Sequence, residues 1–167
     1  MLATALRLLI LCELACYSTL ALHFFGATPA AALLLAVGGV LALRLALVTL
    51  VYALGWAYRA PSERWRCGPA IAVFCGEYAA FIANYLVLAP FERWWMGGDR
   101  LRSGAGRAPL LLIHGYGCSR AVWWWQRRRL MAAGWSVVTV NLEPLYTSID
   151  NYVEPLARRI DEVLAQS

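Results

Sequence analysis

The sequence predicts a two-part chain: an N-terminal α-helical hairpin with a further apolar helix, suited to a membrane, then an α/β segment in strand, helix, strand, helix order. Three observations predict it. Apolar runs at residues 2–25, 30–58 and 68–91 each have the length that crosses a bilayer. Of the 167 residues 61% are apolar and 15% charged, with a mean hydropathy of +0.57, against about 45–50% and about 25% in soluble domains. From Pro109 onward the long runs give way to short apolar stretches punctuated by glycine and alternating with helical ones.

The net charge of +5 comes from arginines alone among the fifteen basic residues. They are scattered and flank apolar segments, where they anchor helix ends at a membrane interface, so nucleic acid is not an expected partner. The expected partner is the lipid bilayer. Five cysteines form no C-x-x-C pair and read as packing residues. No cofactor and no metal site are expected.

The first run, residues 2–25, carries Arg7 near its start and Glu13 in its middle. Its apolar core is longer than that of a signal peptide and lacks a small-residue cleavage site, so it reads as a retained helix. A central carboxylate costs about 2.5–3.5 kcal/mol on insertion, while each Leu, Ile or Phe returns about 0.3–0.6 kcal/mol. A partner for Glu13 would settle the balance, and the second run, residues 30–58, has one charge, Arg44, near its centre. Counting about 1.5 Å per residue outward from the turn at residues 26–29, Glu13 lies roughly 20 Å up one helix and Arg44 roughly 22 Å up the other. The two are therefore expected to pair within an antiparallel hairpin. Gly38, Ala42 and Ala46, spaced i, i+4, i+8, predict a small-residue stripe for close helix contact.

The loop from Arg59 to Arg66 holds three arginines and one glutamate, and the turn at residues 26–29 holds no charge. The positive-inside bias thus places the N-terminus and this loop in the cytoplasm. The third run, residues 68–91, is long enough to span, but Glu77 and Asn84 share one helical face and arginines flank both ends. That pattern favours a helix lying in the interface or re-entering, and leaves the following segment cytoplasmic. Residues 1–95 form the membrane region on this reading. Residues 96–107, rich in glycine and arginine without periodicity, form a linker.

Residues 108–167 make up the α/β part. Pro109 to Ile113 is a buried strand that stops at His114-Gly115-Tyr116-Gly117, a tight turn with accessible backbone. Ser119 caps a helix to about Ala133, Gly134 ends it, and Trp135 to Leu142 is a strand rich in β-branched residues. A loop, Glu143 to Thr147, leads to a last helix from about Ser148 to Ala165. Pro155 predicts either a kink in that helix or a start close to it. Alternating units of this length imply a parallel sheet. Trp123-Trp124-Trp125 and Arg127-Arg128-Arg129 read as an amphipathic helix with tryptophan packed on the sheet and the arginines solvated.

Leu-Leu-Leu-Ile-His-Gly-Tyr-Gly (110–117), a helix ending in Ala-Ala-Gly-Trp, then Val-Val-Thr-Val-Asn-Leu and Tyr-Thr-Ser-Ile-Asp-Asn-Tyr, resembles the N-terminal third of bacterial α/β-hydrolases of the lipase and esterase type. The resemblance covers residues 108–167. It implies an incomplete α/β-hydrolase fold in which Tyr116 contributes its backbone N–H to an oxyanion hole. Gly115 and Gly117 would permit the turn and His114 would buttress it. Preorganised donors of this kind are worth about 2.7–4 kcal/mol when an ester carbonyl becomes a tetrahedral oxyanion. The family also needs a G-x-S-x-G nucleophile elbow followed by an acid and a histidine, and none occurs here. His23 and His114 are the two histidines, and Ser119 reads as a helix cap.

The resemblance therefore implies the N-terminal portion of a membrane-anchored serine ester hydrolase, multi-pass in a bacterial inner membrane, with its elbow beyond Ser167. Its substrate would be a small acyl ester or lipid, and the chain as it stands would be inactive. The alternative expectation is a non-catalytic membrane protein, transport-associated or partner-binding, whose hairpin is the functional part and whose α/β segment is vestigial.

Overall fold

A computed structural model describes residues 1–58, 67–99 and 108–166. The chain is mostly helical, with three long apolar helices and one two-stranded parallel sheet. It divides into two units, one of Arg7–Leu86 and the other of Met1–Leu6 with the chain from Val87 onward.

The unit of Arg7–Leu86 contains most of α1 (Leu2–Phe25), all of α2 (Pro29–Ala57) and α3 (Cys67–Ile82), which continues as a π-helix over Ala83–Leu88. All three helices are long and apolar enough to cross a membrane, and such faces are compatible with membrane association. Gly26, at φ +59°, turns the chain between α1 and α2. Thr28 then caps α2, its hydroxyl accepting from the Ala31 N–H, and Pro29 occupies the first turn, where no amide is needed.

The expected ion pair is present. Arg44 donates through Nη1 to Glu13 Oε2 and to the Val40 carbonyl, 3.3 Å away, and the two charged side chains are 7% and 13% exposed. The expected small-residue stripe is not the contact face. Gly38, Ala42 and Ala46 are exposed, whereas Ala32, Ala36, Val40, Arg44 and Val48 are buried. The reason is rotational. Ala42 and Ala46 stand two positions either side of Arg44, which places them about 160° around the helix from it, so turning Arg44 toward Glu13 turns them out. Gly39 provides the close approach instead, since a Cβ there would lie 2.9 Å from the Tyr17 ring. Between α2 and α3, Tyr52 and Phe74 meet edge to face at 5.1 Å and the Tyr78 hydroxyl donates to the Leu41 carbonyl at 3.1 Å.

In the other unit, α4 (Glu92–Met96) precedes β1 (Leu110–Ile113). Ser119 caps a 3-10 turn over Arg120–Trp123, its hydroxyl accepting from the Ala121 N–H, and α5 (Trp124–Ala132) follows. Gly134, at φ +85°, ends it. β2 (Val137–Val140) then pairs in parallel with β1, Leu110 opposite Val137 and Ile113 opposite Val140. Ser148 caps a second 3-10 turn, Ile149–Tyr152, which runs into α6 (Val153–Gln166). Pro155 therefore falls in the first turn of α6, where its missing N–H costs nothing.

Residues 92–99, which the sequence reading divides between the membrane region and the linker, are built into this unit. Ala89, Met96 and Ala121 form a buried cluster lined by Leu6, Leu88 and Trp124. Glu92 Oε1 accepts from Arg120 Nε at 2.8 Å and from Asn141 Nδ2 at 2.7 Å. Asp99 reaches β2, accepting from the Thr139 amide at 3.0 Å and hydroxyl at 3.1 Å, and pairs with Arg127 at 3.3 Å and Arg159 at 2.8 Å. Arg127 also donates to the carbonyls of Met96 and Gly98. The expectation of solvated arginines on α5 is therefore corrected for Arg127, which is buried because Asp99 and the 96–98 backbone surround its guanidinium. Arg128 and Arg129 instead lie over the rings of Trp124 and Trp125, at 5.2 and 5.7 Å. Residues 100–107 of the expected linker and the arginine-bearing loop at 59–66 lie outside the described residues.

Candidate functional site

The turn after β1 opens onto a cleft of about 490 Å³, within the range of about 300–1,000 Å³ usual for small-molecule sites. His114, Gly115, Tyr116 and Gly117, the four residues singled out from the sequence, all line it. Ile113, Leu142, Leu145, Ile149, Val153 and Leu156 give it an apolar wall, and Thr147 and Tyr152 add hydroxyls.

The local sequence explains the turn. Gly117 adopts φ +70°, a conformation that glycine takes without the steric cost of a Cβ. Cys118 N–H closes the turn on the Gly115 carbonyl at 3.3 Å. Among the described residues, the amides of Tyr116 and Gly117 have no hydrogen-bond partner. Unpaired backbone donors at the rim of an apolar cleft are available to an acceptor entering it.

His114 is buried, 5% exposed, and its two ring nitrogens define its tautomer. Nε2 accepts from the Leu142 amide at 3.0 Å, so it carries no proton, and Nδ1–H donates to the Gly115 carbonyl at 2.9 Å. The neutral ring thus ties the turn after β1 to the segment after β2. With both nitrogens engaged by backbone, His114 has no lone pair to activate a nucleophile. Ser119 is buried and caps its 3-10 turn. Of the lining hydroxyls, Tyr152 donates to the Pro144 carbonyl at 2.8 Å and Thr147 accepts from Asn151. Among the described residues no group of three His, Cys, Asp or Glu is placed to hold a metal ion.

Sequence reasoning missed Tyr146. It is a non-glycine residue at φ +61° whose ring meets that of Tyr116 edge to face, centroids 5.4 Å apart. Its neighbours Leu145 and Thr147 both line the cleft, and Tyr146 itself meets a lining residue through the Tyr116 ring. Nothing in the local sequence signals a left-handed tyrosine, since that conformation is set by fixed points on either side. Tyr152 holds Pro144, and Ser148 caps the turn that follows.

Comparison with protein-family models, curated proteins and solved structures finds no match to this chain.

Proposed function

We propose that the chain is the N-terminal portion of a membrane-anchored serine ester hydrolase of α/β-hydrolase type, in which the turn at residues 114–117 supplies half of an oxyanion hole for an acyl ester. One observation carries this reading: the Tyr116 amide has no hydrogen-bond partner among the described residues, and Tyr116 lines an apolar cleft. Such a donor stabilises a developing oxyanion when one enters the cleft. The anchor is the set of apolar helices, placed on this reading in a bacterial inner membrane with the α/β unit on the cytoplasmic side.

The alternative reading is a non-catalytic membrane protein, transport-associated or partner-binding, and on either reading His114, with both ring nitrogens engaged by backbone, is not the general base. One experiment separates the two. The protein produced from its own gene is treated in native membranes with a fluorophosphonate, and the labelled peptide is sequenced. The hydrolase reading predicts a labelled serine in a segment outside residues 1–167, and complete absence of labelling contradicts it.

A further inference from the structure

The unit that holds the sheet also carries an exposed aromatic and cationic surface that the cleft does not use. Phe91 and Trp94 stack at 5.3 Å, and Trp95 meets Trp124 edge to face at 5.8 Å, which joins α4 to α5. Arg128 lies over the Trp124 ring and Arg129 over the Trp125 ring. Trp94 is 82% exposed and Trp125 58%. Large rings left outside in one patch mark a surface that something apolar covers.

The charge on this surface has one sign. Arg93, Arg128 and Arg129 are exposed, and among the described residues no carboxylate pairs with any of them. Glu92, the acidic residue of α4, is buried and engaged by Arg120, and α5 contains no acidic residue. A guanidinium held over an indole without a carboxylate keeps its forked donors for a phosphate.

The place of the patch in the chain identifies what brings that phosphate. The apolar helix Gly68–Leu88 is long enough to cross a membrane and ends three residues before Phe91. At no more than roughly 3.5 Å per residue, Phe91 lies within about 10 Å of that end, against a headgroup layer about 5–8 Å deep on each side of the apolar core. Tryptophan and arginine together at that level match a membrane interface, and anionic lipid adds attraction for each arginine.

We propose that Phe91, Trp94, Trp95 and Trp125, with Arg93, Arg128 and Arg129, form a docking surface for anionic phospholipid headgroups. The indoles sit at the acyl boundary and the guanidiniums on the phosphates, a lipid contact beyond that of the apolar helices. The proposal rests on the membrane-anchor part of the reading above and is independent of hydrolysis.

The test uses the full chain in nanodiscs of phosphatidylcholine, with or without one-third phosphatidylglycerol, each doped with a headgroup-nitroxide lipid that quenches tryptophan. Subtracting the emission of a Trp94→Phe/Trp125→Phe variant isolates those two rings. Their quenching is expected to be at least twofold stronger with phosphatidylglycerol. Arg93→Gln/Arg128→Gln/Arg129→Gln should return it to the phosphatidylcholine level, and 0.5 M salt should weaken it. Thermal melts check that the variants remain folded. Equal quenching in the two lipid mixtures, or a phosphatidylglycerol response unchanged by the arginine substitutions, overturns the proposal while leaving the anchor reading in place. A chain that does not enter the discs at all removes both.

Discussion

Glu13 and Arg44, 31 residues apart in the chain, form an ion pair that joins two apolar helices at corresponding depths. Removing one member leaves the other charged and without its partner in a low-dielectric setting, a change that costs about 3–5 kcal/mol for buried pairs. Arg44→Leu and Glu13→Gln are each expected to lower the unfolding midpoint of the detergent-solubilised protein. The double variant is expected to be less damaging than the sum of the two, with a coupling above about 1 kcal/mol. Additive effects in that cycle would contradict the pairing.

Adjacent glycines give a second prediction. Gly39 faces the Tyr17 ring and Gly38 faces nothing within 4 Å. Gly39→Ala should therefore destabilise the α1–α2 contact by about 1–3 kcal/mol through overpacking. Gly38→Ala should be neutral or stabilise by up to about 1 kcal/mol through helix propensity. Thermal unfolding of the two variants side by side measures the difference.

Asp99 is the third. It receives Thr139, Arg127 and Arg159, and so closes the edge of β2 that faces away from β1. Asp99→Ala leaves the buried Arg127 without its carboxylate and should cost about 3–5 kcal/mol, read as earlier trypsin cleavage in a urea series. Arg159→Met should cost less, because Arg159 is more exposed. Burial opposes the charge on Arg159, but its hydrogen bonds to Glu162 and Asp99 outweigh that and raise its pKa. A raised pKa on a cation contributes stability that is fully present below the ordinary arginine range and is lost only as pH rises through the raised value. This contact is therefore expected to hold constant across physiological pH.

His114 supplies the fourth. The hydrogen bonds fix the Nδ1–H tautomer, so nitrogen NMR should show Nε2 as the unprotonated, pyridine-like nitrogen. His114→Ala strands the Leu142 amide, at a cost of about 1–3 kcal/mol, and should loosen the turn and the segment after β2 together in hydrogen exchange.

The features legible in the sequence were those set by constant local geometry. The depth match of Glu13 and Arg44 follows from a fixed rise per residue, and the cap at Ser119 follows from a hydroxyl that precedes a helical run. Which way a helix turns was less legible: Gly38, Ala42 and Ala46 have the right spacing but the wrong azimuth once Arg44 faces its partner. Asp99 was hidden for a different reason. Gly97-Gly98-Asp99 is loop-like in composition, and its role depends on Thr139 and Arg159, 40 and 60 residues further along. At the candidate site, the motif located the turn at residues 114–117, while Tyr146 depended on a backbone conformation that its own residue type disfavours.

On the reading proposed above, the backbone amide of Tyr116 binds an acyl oxygen. This is tested most directly by recording the 15N-amide resonances of Tyr116, Gly117 and Gly134 while octanoate is titrated into the full chain. Saturable shifts are expected at Tyr116 and Gly117 and none at Gly134, whose amide already donates to the Met131 carbonyl. Resonances of Tyr116 and Gly117 that stay fixed while octanoate binds would contradict it.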